Sequence, residues 1–415
     1  MAYIKIEEAA GKWGLSVRRA QDLCKTGRIH GAKRFGTNWM VPADAVRPID
    51  GRSKAGREAK VNPAAYRPLV RKTPFLDMTD LYREPGTADR CIEELAYHPE
   101  AQTLFAAEIA YSRGDIESVY AHARDFLENH SGFYATIAGG MLLALAATWK
   151  GDITLWQKAK MHLYEAPWKD ENDRDIIALS VASVDLSVRD TRDFPEWFCQ
   201  GRFAHLPKDA HPAAWVYYVK YLLIYGQELA AGRSQTSHLN GMSLLSAIPL
   251  IVEPLIAQTV VDKTVMAEIY LRLLCAIAYH QTGDETNAAY HLDRAIRLCL
   301  ADGLYGPLVE HRRQLGLFLD ERLLLVDPEA AKKVKELHKV LHEGWVKIHN
   351  AVMENNITAK LSAREREVAR LAAFGLSDEQ IAERLHITKA SVKSMLQMAR
   401  NKTGIKGRDE FGAYI

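Results

Sequence analysis

Residues 361–404 read LSAREREVARLAAFGLSDEQIAERLHITKASVKSMLQMARNKTG. Three helices separated by tight turns account for this pattern. Ser362 and Glu365 have the spacing of a capping box, which opens a first helix with Val368 and Leu371 pointing one way. Gly375 ends it, because glycine takes up left-handed backbone without a steric penalty. Ser377 and Gln380 form a second capping box and open a short helix over 378–385, with Ile381, Ala382 and Leu385 facing inward. Ile387 crosses the next turn, and Thr388 caps a third helix that runs to about Lys402.

A short helix, a turn of about three residues and a longer helix with a polar first face make helix-turn-helix geometry. In that geometry the second helix of the pair lies in a major groove. Lys389, Ser391, Lys393, Ser394 and Gln397 are then the side chains placed to meet phosphates or base edges. The segment resembles the LuxR-type DNA-binding domain. The resemblance rests on Arg364, Glu365, Glu367 and Val368, on Gly375-Leu376-Ser377, on the run 381–385, on Val392-Lys393, and on Lys402, Ile405 and Arg408. Ala369, Met395 and Thr403 stand where that family has leucine, histidine and leucine. The resemblance implies a transcription regulator that reads double-stranded promoter or operator DNA as a homodimer on paired half-sites. RNA polymerase is a further expected partner.

Residues 3–46 form a second unit. A helix over 6–13 puts Ala9, Ala10 and Trp13 on one side, and Gly14-Leu15-Ser16 makes the turn. Ser16 caps a second helix over 17–25, ended by Gly27. Two short strands follow, over 29–35 and 38–42, around Gly36-Thr37. Two helices and a hairpin make a winged arrangement. Arg18, Arg19, Gln21 and Lys25 lie on the second helix, with Asp22 an acidic neighbour, and Lys33 and Arg34 lie on the wing. The unit resembles the MerR/excisionase-like winged helix-turn-helix. Glu8-Ala9-Ala10, Gly14-Leu15-Ser16, Arg19, Leu23, Gly27-Arg28-Ile29, Gly31-Ala32, Gly36 and Trp39-Met40-Val41-Pro42 carry the likeness.

Charge is distributed to match. The chain has 415 residues and a formal net charge of +2, yet residues 1–72 carry +10, residues 360–415 carry +4, and the remainder −12. Basic ends around an acidic middle are the asymmetry of a protein whose ends meet phosphate. Glycine, proline and isolated basic residues over 49–73 read as a basic flexible linker. The five cysteines are scattered with no Cys-x-x-Cys spacing, which fits a reducing cytoplasm and argues against a disulfide framework or zinc ribbon. The start of the chain has acids where a signal peptide needs an apolar run. The longest uncharged apolar stretch, 133–149, is shorter than the roughly 20 residues that span a bilayer. No membrane association is expected, and the localisation expected is the cytoplasm of a bacterium.

Between Pro74 and about Asn350 the periodicity is helical throughout. A loose repeat of helix, Gly-Asp turn and helix recurs around Gly114-Asp115, Gly151-Asp152 and Gly283-Asp284, and is missing from 165–265. It resembles tetratricopeptide-like helical hairpins, which stack into concave surfaces for small molecules, peptides or proteins. The aromatic run 215–225 reads either as a pocket lining or as a buried aromatic helix. No phosphate-binding glycine loop occurs, and no nucleophile–base arrangement stands out. His338 and His342 lie one helical turn apart without a third metal ligand, as surface residues do. The expectation is a mainly α chain with no enzymatic activity, catalytic residue, metal or cofactor. It comprises a winged helix-turn-helix (1–48), the linker (49–73), a tetratricopeptide-like sensor or interaction domain (74–350) and a LuxR-type domain (351–415), and acts as a one-component regulator answering an unidentified effector. The alternatives are a helical-repeat interaction scaffold and an excisionase-like architectural DNA-binding factor.

Overall fold

The computed structural model describes residues 3–25, 29, 32–36, 38–43, 45, 82–96, 99–129, 132–230, 241–354, 361–405, 407–408 and 411. The basic linker 49–73 lies outside these residues, as does the helix stop at Gly27. The chain divides into two compact units, Met1–Val70 with Glu94–Pro99, and Arg71–Glu93 with Glu100–Ile415.

In the first unit, Ile6, Ala9, Ala10 and Trp13 recur at helical spacing and bury one face of α1 (Ile6–Trp13). Gly14, in left-handed conformation, stops this helix. The Ser16 hydroxyl accepts from the Arg19 amide at 3.3 Å where α2 (Val17–Lys25) begins. Strands β2 (Lys33–Phe35) and β3 (Asn38–Pro42) form the hairpin. A strand that the sequence reading did not anticipate, β1 (Tyr3–Lys5), completes an antiparallel sheet of order β1-β3-β2, with Ile4 opposite Val41 and Arg34 opposite Trp39. At three residues it is too short to show an alternation of its own. Ala20, Leu23, Cys24, Ile29 and Val41 close the core over α1, and the Trp13 indole donates to the Ala45 carbonyl at 3.2 Å.

The second unit is helical wherever it has regular structure among the described residues. Its first helices are α3 (Ala88–Glu94), α4 (Pro99–Arg113), α5 (Ile116–Asn129), α6 (Phe133–Lys150), α7 (Ile153–Tyr164) and α8 (Glu171–Ser187). The short α9 (Glu196–Cys199) and a single turn at Lys208–Ala210 lead to α10 (His211–Ala230) and α11 (Gly241–Asp262). The series continues with α12 (Val265–Thr282), α13 (Glu285–Leu300), α14 (Tyr305–Val326) and α15 (Pro328–Met353). Three C-terminal helices follow: α16 (Ala363–Ala373), α17 (Asp378–Arg384) and α18 (Lys389–Thr403).

The Gly-Asp pairs seen in the sequence sit at three helix junctions. Gly114, Gly151 and Gly283 have φ of +80°, +65° and +92°, a region in which a side chain is strained. Each following aspartate caps the next helix, Asp152 accepting from the Leu155 amide at 2.9 Å and Asp284 from that of Asn287 at 3.1 Å. Successive helices therefore fold back and pack pairwise, α6 on α7, α11 on α12, α12 on α13 and α14 on α15. Helix α15 also returns to pack on α6. That contact is tight: a β-carbon at Gly344 would lie 2.3 Å from both the Thr148 and Trp149 carbonyl oxygens.

In the stretch without the repeat, 165–265, an aromatic cluster stands in for the Gly-Asp turn. Phe194, Phe198 and Phe203 pack edge-on against Tyr221, Tyr218 and Trp215 of α10, and Trp197 packs edge-on against Phe203. Within α11, residues Leu244–Asp262 have a mean hydropathy of 1.8, long and apolar enough by composition to cross a bilayer, with a third of the segment buried. The segment is not an uncharged run, because it contains Glu253, which accepts from the Tyr279 hydroxyl of α12 at 2.6 Å.

Candidate nucleic-acid interface

Both C-terminal capping boxes form. The Ser362 hydroxyl accepts from the Glu365 amide at 3.2 Å while the Glu365 carboxylate accepts from the Ser362 amide at 2.8 Å. Ser377 and Gln380 repeat the arrangement at 3.2 and 2.8 Å. Thr388 caps α18 through the Ser391 amide at 3.1 Å. Val368, Leu371, Ile381, Val392, Leu396 and Phe411 form one core, and Met395 packs against it. Lys402 binds the Glu365 carboxylate at 2.7 Å, and Arg408 spans the turn to Asp378 at 2.6 Å and to the Leu376 carbonyl at 2.7 Å. These basic residues of the resemblance therefore brace the fold. Helices α16 and α17 hold α18 with one face packed and the other open.

On the open face, Lys389, Lys393, Ser394 and Gln397 are exposed and Ser391 is half-buried. Their availability differs. Lys389 is paired with Glu379, Ser391 shares a hydrogen bond with the Thr388 hydroxyl at 2.8 Å, and Gln397 donates to Asn401 at 3.0 Å. Lys393 and Ser394 make no hydrogen bond or ion pair among the described residues. Of the five residues marked by the sequence, these two are open to a ligand without exchanging a partner.

In the N-terminal unit Arg18, Arg19, Lys25, Lys33 and Arg34 are exposed and Gln21 is half-buried. Lys33 lies 5.5 Å from the Tyr3 ring centre. Phe35, at the tip of the hairpin beside the two wing cations, is 60% exposed. The expected strand over 29–35 gives Phe35 no further role, and the strand forms only over Lys33–Phe35, too short for alternation to say which face is covered.

The three C-terminal helices are attached to the helical stack by a buried polar junction. Arg370, 1% exposed, donates to Glu367 and approaches His280 Nε2 at 3.1 Å. His280 contacts Glu285 through Nδ1 at 3.0 Å and lies flat on Phe318 at 4.7 Å. Arg384 donates to the His280 carbonyl and lies 3.4 Å from Glu285. The chain breaks its helical path inside α14 at Gly316, with φ +58°, where a β-carbon would lie 2.6 Å from Glu367 Oε2. Burial raises the pKa of Glu367, but the Arg370 charge and the His280 hydrogen bond outweigh it and bring the pKa down to about 2. The junction leaves the open face of α18 uncovered.

The helical stack encloses a cavity of about 150 Å³ between α6, α8, α10, α12, α14 and α15. Here the expectation for His338 and His342 is corrected. Helix α15 packs on α14 and α6, so its 338–349 stripe faces inward. His338, His342, Trp345 and His349 form a stacked column with ring separations of 5.6, 6.2 and 4.5 Å. Both readings of the aromatic run hold, on opposite faces of α10. Tyr217, Leu223 and Ile224 line the cavity, while Trp215, Tyr218 and Tyr221 join the aromatic cluster. Elsewhere Glu253, Cys275 and His291 bring one ligand atom each within 4.8 Å of one another. Burial, with Arg272 close by, lowers the pKa of His291 beside them, and burial pushes the Cys275 thiol up to about 12.

Residues 359–413 match the GerE model, described as bacterial regulatory proteins of the luxR family. Comparisons with curated proteins and with solved structures find no match. The C-terminal helices are thus a LuxR-type helix-turn-helix domain. The protein that carries them is a DNA-binding transcriptional regulator.

Proposed function

We propose that this regulator is of the one-component kind, with its helical stack as the sensor. Helix α18 enters the major groove, with Lys393 on the phosphate backbone and Ser394 and Gln397 toward base edges. The N-terminal winged unit, by its likeness to MerR/excisionase-like modules, adds a second set of DNA contacts through Arg18, Arg19, Lys33 and Arg34. A homodimer would present two copies of α18 to paired half-sites, and RNA polymerase is the partner through which promoter binding would act. The stack would receive a small molecule, peptide or protein, and the polar junction at His280 and Arg370 would carry the signal to the LuxR-type domain.

One observation carries the reading. In a domain that matches the luxR family, the face of α18 bearing Lys393 and Ser394 is open and has no partner among the described residues. The test is fluorescence anisotropy of the full-length chain on DNA from upstream of its own gene, across a salt series. Affinity should fall steeply with salt, with a log–log slope of several units. The Lys393→Ala variant should lower that slope by about one while keeping the thermal midpoint. Equal binding and equal slope in the variant would remove α18 from the interface.

A further inference from the structure

The cavity in the helical stack has an apolar body and a charged end. Met141, Leu145, Leu223 and Leu274 supply the body, and a space of about 150 Å³ has the size that takes a single benzene-like ring. Three cations reach the wall, Arg189, Lys220 and Arg313, against one carboxylate, Glu310. That carboxylate already accepts from the Tyr111 hydroxyl at 2.6 Å and the Tyr270 hydroxyl at 3.3 Å. The nearby Arg312 is satisfied by Asp320 at 2.6 Å. Arg313 is not satisfied. Its guanidinium lies over the Trp345 ring at 4.0 Å, and its buried Nε has no hydrogen-bond partner among the described residues. The neighbouring Gln314 Oε1 is buried and unpartnered too.

A half-buried cation whose Nε is sealed from water and whose guanidinium rests on a ring face is a costly arrangement, since no carboxylate or hydrogen bond among the described residues repays the desolvation of that Nε. Burial, with Arg189 and Arg366 close by, drives the Arg313 pKa well below the usual guanidinium range. His338 and His342, next along the wall, are driven to the neutral form by burial and by Arg312, Arg313 and Arg366, and bring no negative charge. What completes such a wall is an anion small enough to leave the ring-sized body for its apolar part.

We propose that this cavity is the effector site and takes a small aromatic carboxylate, its carboxylate on Arg313 and its ring among Met141, Leu145, Leu223 and Leu274. The inference rests on the reading of the stack as a sensor and names what it senses. The route to the DNA-binding domain is short. Helix α14 carries Arg313 and Gln314 at the cavity, breaks at Gly316 against Glu367 and presents Phe318 to His280. An anion that draws Arg313 from Trp345 acts on the same helix that seats the LuxR-type domain.

The experiment uses the full-length protein with benzoate and phenylacetate and, as neutral counterparts, benzamide and phenylacetamide. Calorimetric titration should give saturable binding of an acid at least tenfold tighter than its amide. The thermal midpoint should rise by roughly 4 °C at a hundredfold excess over Kd. In Arg313→Gln, which removes the charge and keeps a donor, the acid-to-amide ratio should fall to about one. The wild-type ratio tests the charge preference even if this variant fails to fold. Amides bound as well as acids, no binding by either series, or an undiminished ratio in Arg313→Gln would each overturn the assignment. DNA anisotropy in parallel separates this from the sensor reading. Acid binding that leaves DNA affinity unchanged keeps the site and refutes sensing, whereas intact DNA binding with no acid binding refutes the site and leaves the regulator.

Discussion

Replacing Glu367 by glutamine should unlock the LuxR-type domain from the helical stack without touching the face that meets DNA. Glu367 is 7% exposed and supplies the carboxylate that holds Arg370, itself 1% exposed, beside His280. Two routes give the magnitude. Its folded pKa of about 2, against an ordinary 4.5, corresponds to about 3 kcal/mol favouring the ionised, folded form. Removing one partner of a buried pair costs about 3 to 5 kcal/mol, because the other charge is left buried and alone. Because the pKa is depressed on folding, this stability is fully present above pH 4.5 and is lost as pH falls toward 2. The effect should be local, so the assay is amide hydrogen exchange across residues 363–373 at pH 7. A loss of about 3 kcal/mol makes exchange there roughly a hundredfold faster. Exchange within threefold of wild type in Glu367→Gln would show that the junction does not hold the domain.

Three further outcomes are expected. Gly344→Ala should cost about 3 kcal/mol in urea unfolding, since its β-carbon would press on the Thr148 and Trp149 carbonyls; a loss under 0.5 kcal/mol would mean that α15 and α6 shift apart freely. His342 has its pKa lowered to about 3 by burial and by Arg366, Arg313 and Arg312, so its contribution is present above pH 6.5 and is lost as pH falls toward 3. Going from pH 7 to 5, His342→Gln should therefore lose about 1 to 2 kcal/mol less stability than wild type in urea titrations, and identical losses would contradict the buried, neutral state. Replacing Lys33 and Arg34 together by alanine should lower the salt slope of DNA binding by about two if the wing meets phosphate, and an unchanged slope would exclude the wing from the interface.

The C-terminal domain was legible because its signals are local. Ser362, Glu365, Ser377, Gln380 and Thr388 act within four residues of themselves, and each capping hydrogen bond forms where the spacing put it. The Gly-Asp turns were legible for the same reason, since backbone handedness belongs to a single residue. The cavity was not. The stretch Glu310-His311-Arg312-Arg313-Gln314 has the composition of a solvated face, and only the return of α15 onto α6 turns its polar groups inward. His338 and His342 were misjudged likewise, because a histidine pair one turn apart carries no mark of the partner that will bury it. Sequence also placed five side chains on the DNA face of α18 without showing that Lys389 and Ser391 are already engaged.

The central claim, that this chain reads DNA sequence through α18, is tested most directly by selection from random DNA. Full-length protein and its Lys393→Glu variant would each be incubated with the same pool, and the bound fraction sequenced. The wild-type protein should enrich a defined motif with two half-sites, and the variant none. A wild-type selection without a motif, or the same motif recovered by Lys393→Glu, would contradict it.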